Sequence, residues 1–131
     1  MTPTRPTAAG RAQGGRRSPR LETEFPASLL GREALAATVV DLSLLGCLVR
    51  CDRLLDPGSI LDLRLEIDGR PFGAKVQVAD SSVDGVSLSE PRHRYLAGLE
   101  FLSLPADEEL RLRSFLDAER RRRQRARPSP Q

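Results

Sequence analysis

Two polar clusters in this 131-residue chain have the residue types and spacing for ligand chemistry. The first is Arg16-Arg17-Ser18-Pro19-Arg20, with two arginines four residues apart. The second, twenty-one residues after Arg20, is Asp41-Leu42-Ser43-Leu44-Leu45-Gly46. A guanidinium is a permanently charged planar fork of donors that matches oxyanions and can stack its flat face. Asp41 adds an acceptor and Ser43 a short hydroxyl. Gly46 is expected to take a positive φ and to let a ligand approach the backbone. Together these groups can recognise a polar anion. They contain no nucleophile–base pair and no Gly-rich phosphate loop, so catalysis is not expected. Each cluster also has a plainer reading. The arginine spacing recurs at Arg121 with Arg125 and at Arg123 with Arg127, simply because that end is arginine-rich. Asp, Ser and Gly could equally form a turn whose side chains bond nearby backbone.

Short apolar-alternating runs separated by turn signals must position these clusters, which is the pattern of antiparallel strands. The cleanest has Leu61, Leu63, Leu65 and Ile67 alternating with Asp62, Arg64 and Glu66. Asp68-Gly69 then supplies the pair of positive-φ residues a tight hairpin needs. Phe72, Ala74, Val76 and Val78 continue the inward face, and Pro57-Gly58 marks the turn into the Leu61 strand. Further strands are expected at 25–30, 35–40, 46–51 and 95–102, with a tight loop over 41–46. Residues 80–92 read as a loop or as an extra hairpin around Asp84-Gly85. The period then changes. Pro105-Ala106-Asp107-Glu108-Glu109 opens a helix with acids in its first turn, where the dipole favours them. Leu112, Phe115 and Leu116 form its apolar stripe. Five or six antiparallel strands followed by one helix point to an all-β fold with a terminal helix, closed as a small barrel because closure removes exposed edges.

In this order and setting, the two clusters resemble the signature of the PilZ domain family, RxxxR in an N-terminal segment followed by DxSxxG. Arg16 and Arg20 fill the first motif; Asp41, Ser43 and Gly46 fill the second. The strand Gly98-Leu99-Glu100-Phe101 and the closing helix also look like the end of that domain. The resemblance covers residues 14–118. It implies a six-stranded antiparallel β-barrel followed by one C-terminal helix, binding cyclic di-GMP, a bacterial second messenger. Arginine forks suit its phosphates and guanine O6 and N7, and guanidinium stacking would replace the missing aromatic platforms. Asp41 would accept from a guanine edge or orient an arginine, Ser43 would offer its hydroxyl, and Gly46 would leave room. The ligand would order the arm so that arm and Asp41–Gly46 loop enclose it. The implied protein is a single-domain, non-enzymatic receptor that needs no cofactor or metal and signals to an unidentified partner protein. Rival readings are a PilZ-like interaction adaptor that ignores nucleotide and, third, a nucleic-acid binder working through its arginine-rich ends.

Composition bounds these readings. Residues 1–20 hold five arginines and no acid (+5), residues 21–118 ten basic against seventeen acidic residues (−7), and residues 119–131 six arginines and one glutamate (+5). An acidic body disfavours a general polyanion binder, which would show a basic folded face. Aromatics make up 4% and Trp is absent. Charges interrupt every apolar stretch well short of the ~18 residues of a membrane span. No apolar block follows the first arginines, so a cytoplasmic protein without a secretory signal is expected. Residues 1–13 read as a disordered tail and residues 119–131 as an arginine-rich tail, where the helix end frays or meets nucleic acid, an acidic partner or an anionic membrane. Cys47 and Cys51 would share a strand face about 13 Å apart, too far to bridge, and read as inward-facing apolar residues. His93, flanked by arginines, reads as a solvated side chain.

Overall fold

A computed structural model describes residues 19–83 and 95–126. Arg16, Gly14-Gly15, Asp84-Gly85, His93 and the end of the chain after Ala126 lie outside the described residues. The elements are β1 (Leu21–Leu30), β2 (Ala34–Leu42), β3 (Gly46–Cys51), β4 (Ile60–Ile67), β5 (Arg70–Val83), β6 (Tyr95–Ser103) and a helix α1 (Ala106–Ala126). The strands form a closed barrel in the order β1-β2-β3-β6-β5-β4, with every neighbouring pair antiparallel.

The alternation in the sequence carries this closure. Leu63, Leu65 and Ile67 of β4 and Phe72, Ala74, Val76 and Val78 of β5 all point into the barrel and are buried. Ile67 pairs with Arg70 across a two-residue turn in which Asp68 has φ 55° and Gly69 φ 74°. Both central residues must be left-handed in this turn type, which matches the strands' own twist. Leu29, Val39, Leu42 and Val49 complete the interior from the other half. Cys47 and Cys51 are free thiols buried in that core.

Four boundaries differ from the sequence expectation by more than one residue, the first being β5, which pairs with β6 as far as Val83 and so takes in residues 80–83 of the expected loop or extra hairpin. The first strand begins at Leu21, four residues before Phe25. Its pairing with β2 shifts register between Glu22 and Phe25, although inward and outward positions keep alternating along β1; there the Thr23 hydroxyl donates to the Val39 carbonyl at 2.6 Å. The second strand runs past Val40 to Leu42, so Asp41 belongs to the sheet and the loop shrinks to Ser43–Leu45. The helix continues beyond residue 118 to Ala126, supported by Glu119 bonding to Arg122 and Arg123.

Helix α1 lies against the end of the barrel formed by the β4–β5 turn and the first half of β1. Leu112 and Leu116 are fully buried, and Phe115 meets Phe25 with ring centroids 5.9 Å apart. Arg111 fastens the helix to the turn. Its Nη1 donates to the Pro71 carbonyl (2.9 Å) and its Nη2 to those of Ile67 (3.2 Å) and Arg70 (3.4 Å), with the guanidinium 6.0 Å from the Phe72 ring.

Candidate functional site

Antiparallel register builds the site. Leu21 pairs with Leu42 and Glu22 with Asp41. The residue that precedes β1 is thereby held beside the residues that end β2. Arg20 Nη1 donates to Asp41 Oδ2 at 3.1 Å. The arginine side chain is 44% exposed and the aspartate 18%, so a guanidinium faces solvent from a carboxylate base set into the sheet. On its other side Asp41 pairs with Leu48 of β3, next to an irregularity that begins at Val39. Such a bulge re-aims the side chains beside it.

The turn after Asp41 is held from within. Ser43 N donates to the Gly46 carbonyl at 2.9 Å, and the Ser43 hydroxyl donates to the same carbonyl at 3.3 Å. The hydroxyl in turn accepts from Leu45 N at 3.1 Å. Ser43 is 6% exposed, the one polar residue buried among the described residues. Its hydroxyl therefore makes the turn-closing bonds that the plainer sequence reading foresaw. Phe101 N donates to the Leu45 carbonyl at 3.0 Å and ties the turn to β6.

Gly46 corrects one expectation. Its φ is not in the positive region; the described glycines found there are Gly58 and Gly69. Glycine is required at 46 for a different reason. A Cβ would sit 2.0 Å from the Leu99 carbonyl oxygen and 3.0 Å from Glu100 Cα, because β3 starts hard against β6. The close approach is to the neighbouring strand.

Of the five residues singled out, Arg20, Asp41, Ser43 and Gly46 are brought together at one end of the β1–β2–β3 surface, and Arg16 lies outside the described residues. A further guanidinium, Arg50, was not singled out. It stands two residues beyond Leu48 on β3 and pairs with Glu24 of β1 at 3.7 Å. No spacing rule exposes it, since the pair forms across the intervening β2. Beneath the site, burial pushes the Cys47 thiol up from 9.0 to about 12, and the Asp41 charge adds to the rise. That thiol is protonated and unreactive at neutral pH. Among the described residues no group of three or more His, Cys, Asp or Glu could hold a metal ion. No described helix is long and apolar enough to cross a membrane.

A closed six-stranded antiparallel barrel with a C-terminal helix, and an Arg–Asp pair where β1 begins and β2 ends, define a small class of β-barrel domain. The PilZ domain model matches residues 15–118, and the chain belongs to that family. No curated protein matches. Among solved structures, the PilZ domain of YcgR from Escherichia coli, with c-di-GMP, is similar at TM-score 0.68 and 21% identity, over 85% of this chain and 96% of that one. MrkH, described as a c-di-GMP-dependent transcription regulatory factor, is similar at TM-score 0.65 and 17% identity, over 77% of this chain. PlzA of Borreliella burgdorferi, in complex with c-di-GMP, is similar at TM-score 0.55 and 15% identity, over 95% of this chain. This chain spans 49% of the MrkH chain and 60% of the PlzA chain. At these identities the likeness establishes the fold.

Proposed function

We propose that this chain is a bacterial, cytoplasmic receptor for cyclic di-GMP, a binding module rather than an enzyme, that passes the signal to a partner protein by contact. The observation that carries the reading is the Arg20–Asp41 pair at 3.1 Å beside the Ser43–Gly46 turn, in a chain whose family relatives YcgR and PlzA were solved with this ligand. Arg20 turns its fork toward a phosphate or the O6 and N7 of a guanine, a charge-assisted contact. Asp41 holds that guanidinium before the ligand arrives and accepts from a guanine N–H afterwards. Ser43 keeps the turn in shape, and Gly46 lets the turn sit down on β6. Arg16 supplies the second fork from the arm that leads into β1.

Ligand binding then orders the arm against the barrel. The ordering costs about 1–2 kcal/mol per residue, offset by guanidinium–phosphate bonds, so affinity falls with salt. Calorimetric titration tests the reading. The wild-type chain binds saturably and both Arg16→Ala and Arg20→Ala lose at least tenfold in affinity, on the order of 1.4 kcal/mol. Absence of heat in the wild type at high micromolar ligand overturns it and leaves the adaptor reading. Protease cleavage within residues 10–20 slows on saturation; an unchanged rate contradicts arm ordering.

A further inference from the structure

The arginine-rich end is helical where the sequence pointed to a tail, and this changes what it can do. Up to Arg120 the helix rests on the barrel: Leu112 and Leu116 are buried, and Glu119 and Arg120 are partly covered. From Arg121 to Ala126 every residue is exposed. Six residues rise about 9 Å, so nearly two turns of helix stand clear of the body. Four of the six are arginines.

Their arrangement limits the occupant. At about 100° per residue, Arg125 lies about 40° from Arg121 round the axis, Arg122 about 100° and Arg123 about 200°. Guanidinium groups therefore spread over about 200° of the circumference, with Gln124 in the remaining arc. Glu119 bonds to Arg122 and Arg123, while Arg121 and Arg125 have no acid partner among the described residues. Like charges at i and i+4 repel by a few tenths of a kcal/mol, a strain that a polyanion would relieve. The projecting turns carry no Leu, Phe, Trp or Tyr. A partner protein's hydrophobic groove would need such anchors, and an interfacial membrane helix an apolar face. Single-stranded nucleic acid calls for aromatic platforms. Charges spread over about 200° of a rod reach both walls of a groove lined by phosphates. The helix diameter of about 10–12 Å matches the B-form major groove at about 12 Å, whereas the major groove of duplex RNA is too deep and narrow for side chains to read.

We propose that the projecting end of α1, through Arg121, Arg122, Arg123 and Arg125, is a docking element for duplex DNA. The acidic body, −7 over residues 21–118, keeps the barrel surface out of the contact, and arginine–phosphate pairing makes that contact sequence-indifferent and salt-sensitive. The element is separate from the Arg20–Asp41 site, so its failure would leave nucleotide binding untouched.

Fluorescence anisotropy tests this, using the full chain and a labelled mixed-sequence DNA duplex of about 20 base pairs in about 50–200 mM salt. The expected log–log slope of affinity against salt lies between about −2 and −4, close to one unit per phosphate neutralised. The double variant Arg121→Ala/Arg125→Ala makes the slope shallower by about two and weakens binding at least about tenfold in low salt. Arg121→Lys/Arg125→Lys restores the slope. Neither pair contributes a buried side chain, so both variants keep the wild-type melting curve. The proposal is overturned by an unchanged anisotropy at about 100 µM protein in low salt, or by a slope that the alanine pair leaves intact. It is equally overturned if the arginines govern binding to phosphatidylglycerol vesicles while the duplex stays inert.

Discussion

Arg20 and Asp41 stand twenty-one residues apart in sequence, yet their side chains meet at 3.1 Å because Leu21 pairs with Leu42. The strand register, not any local turn, makes them neighbours. The pair is solvent-facing, and exposed ion pairs contribute about 0–1 kcal/mol to stability. Asp41→Ala therefore lowers the stability measured by urea unfolding by less than about 1 kcal/mol, while affinity for cyclic di-GMP falls at least about tenfold. A variant that unfolds substantially and binds normally would reverse the assignment of this pair from ligand to fold.

Gly46→Ala has the opposite signature. A methyl group 2.0 Å from the Leu99 carbonyl oxygen cannot be accommodated without moving β3 away from β6. Overpacking of this kind costs typically about 1–3 kcal/mol. A lower urea midpoint is the expected result; an unchanged midpoint would show that the strands part freely there.

Ser43→Ala leaves the Leu45 N–H without its acceptor in a turn where Ser43 is buried but Leu45 is 52% exposed. A donor this close to solvent can turn to water, so the cost is that of one net hydrogen bond, about 0.5–1.5 kcal/mol. The loss appears in thermal or urea melts of the free protein, and ligand affinity declines because the turn that follows Asp41 loosens. A fully stable Ser43→Ala protein would show that the backbone bond from Ser43 N to Gly46 suffices.

The Cys47 thiol bears on alkaline behaviour. Its pKa in the fold, about 12, lies above the ordinary 9.0. The folded state thus holds this proton more tightly than the unfolded chain does. Its contribution is complete below pH 9 and is lost as pH rises toward 12. Stability should decline across that window, and the decline should flatten in Cys47→Ala. Native protein should resist iodoacetamide at about pH 8, with labelling appearing only on unfolding; rapid native labelling would contradict the buried position.

Much of the architecture was legible where one local rule acted alone. Strict alternation from Leu61 to Ile67, the Asp68-Gly69 turn and the acid-first helix start each have a single physical cause, and each reappears in place. Boundaries failed where pairing overrode pattern. Leu21–Glu24 has one apolar residue in four and becomes strand because β2 receives it. Asp41 looks like a loop residue and ends a strand. The helix outlasts its apolar stripe because acid–base pairs around Glu119 continue it. In the site, the motif residues could be named from sequence, but their division of labour could not. Whether Ser43 faces a ligand or its own turn, and whether Gly46 serves φ or proximity, depends on β6, which begins nearly fifty residues later.

Amide chemical-shift mapping of the labelled protein during titration decides whether cyclic di-GMP binds where Arg20 meets Asp41. The signals of Arg20, Leu21 and residues 41–46 should move together and saturate, while those of the β3–β4 connection, 52–59, stay still. Saturable shifts confined to that connection, with Arg20 and Asp41 unmoved, would place the ligand elsewhere and remove this pair from the site.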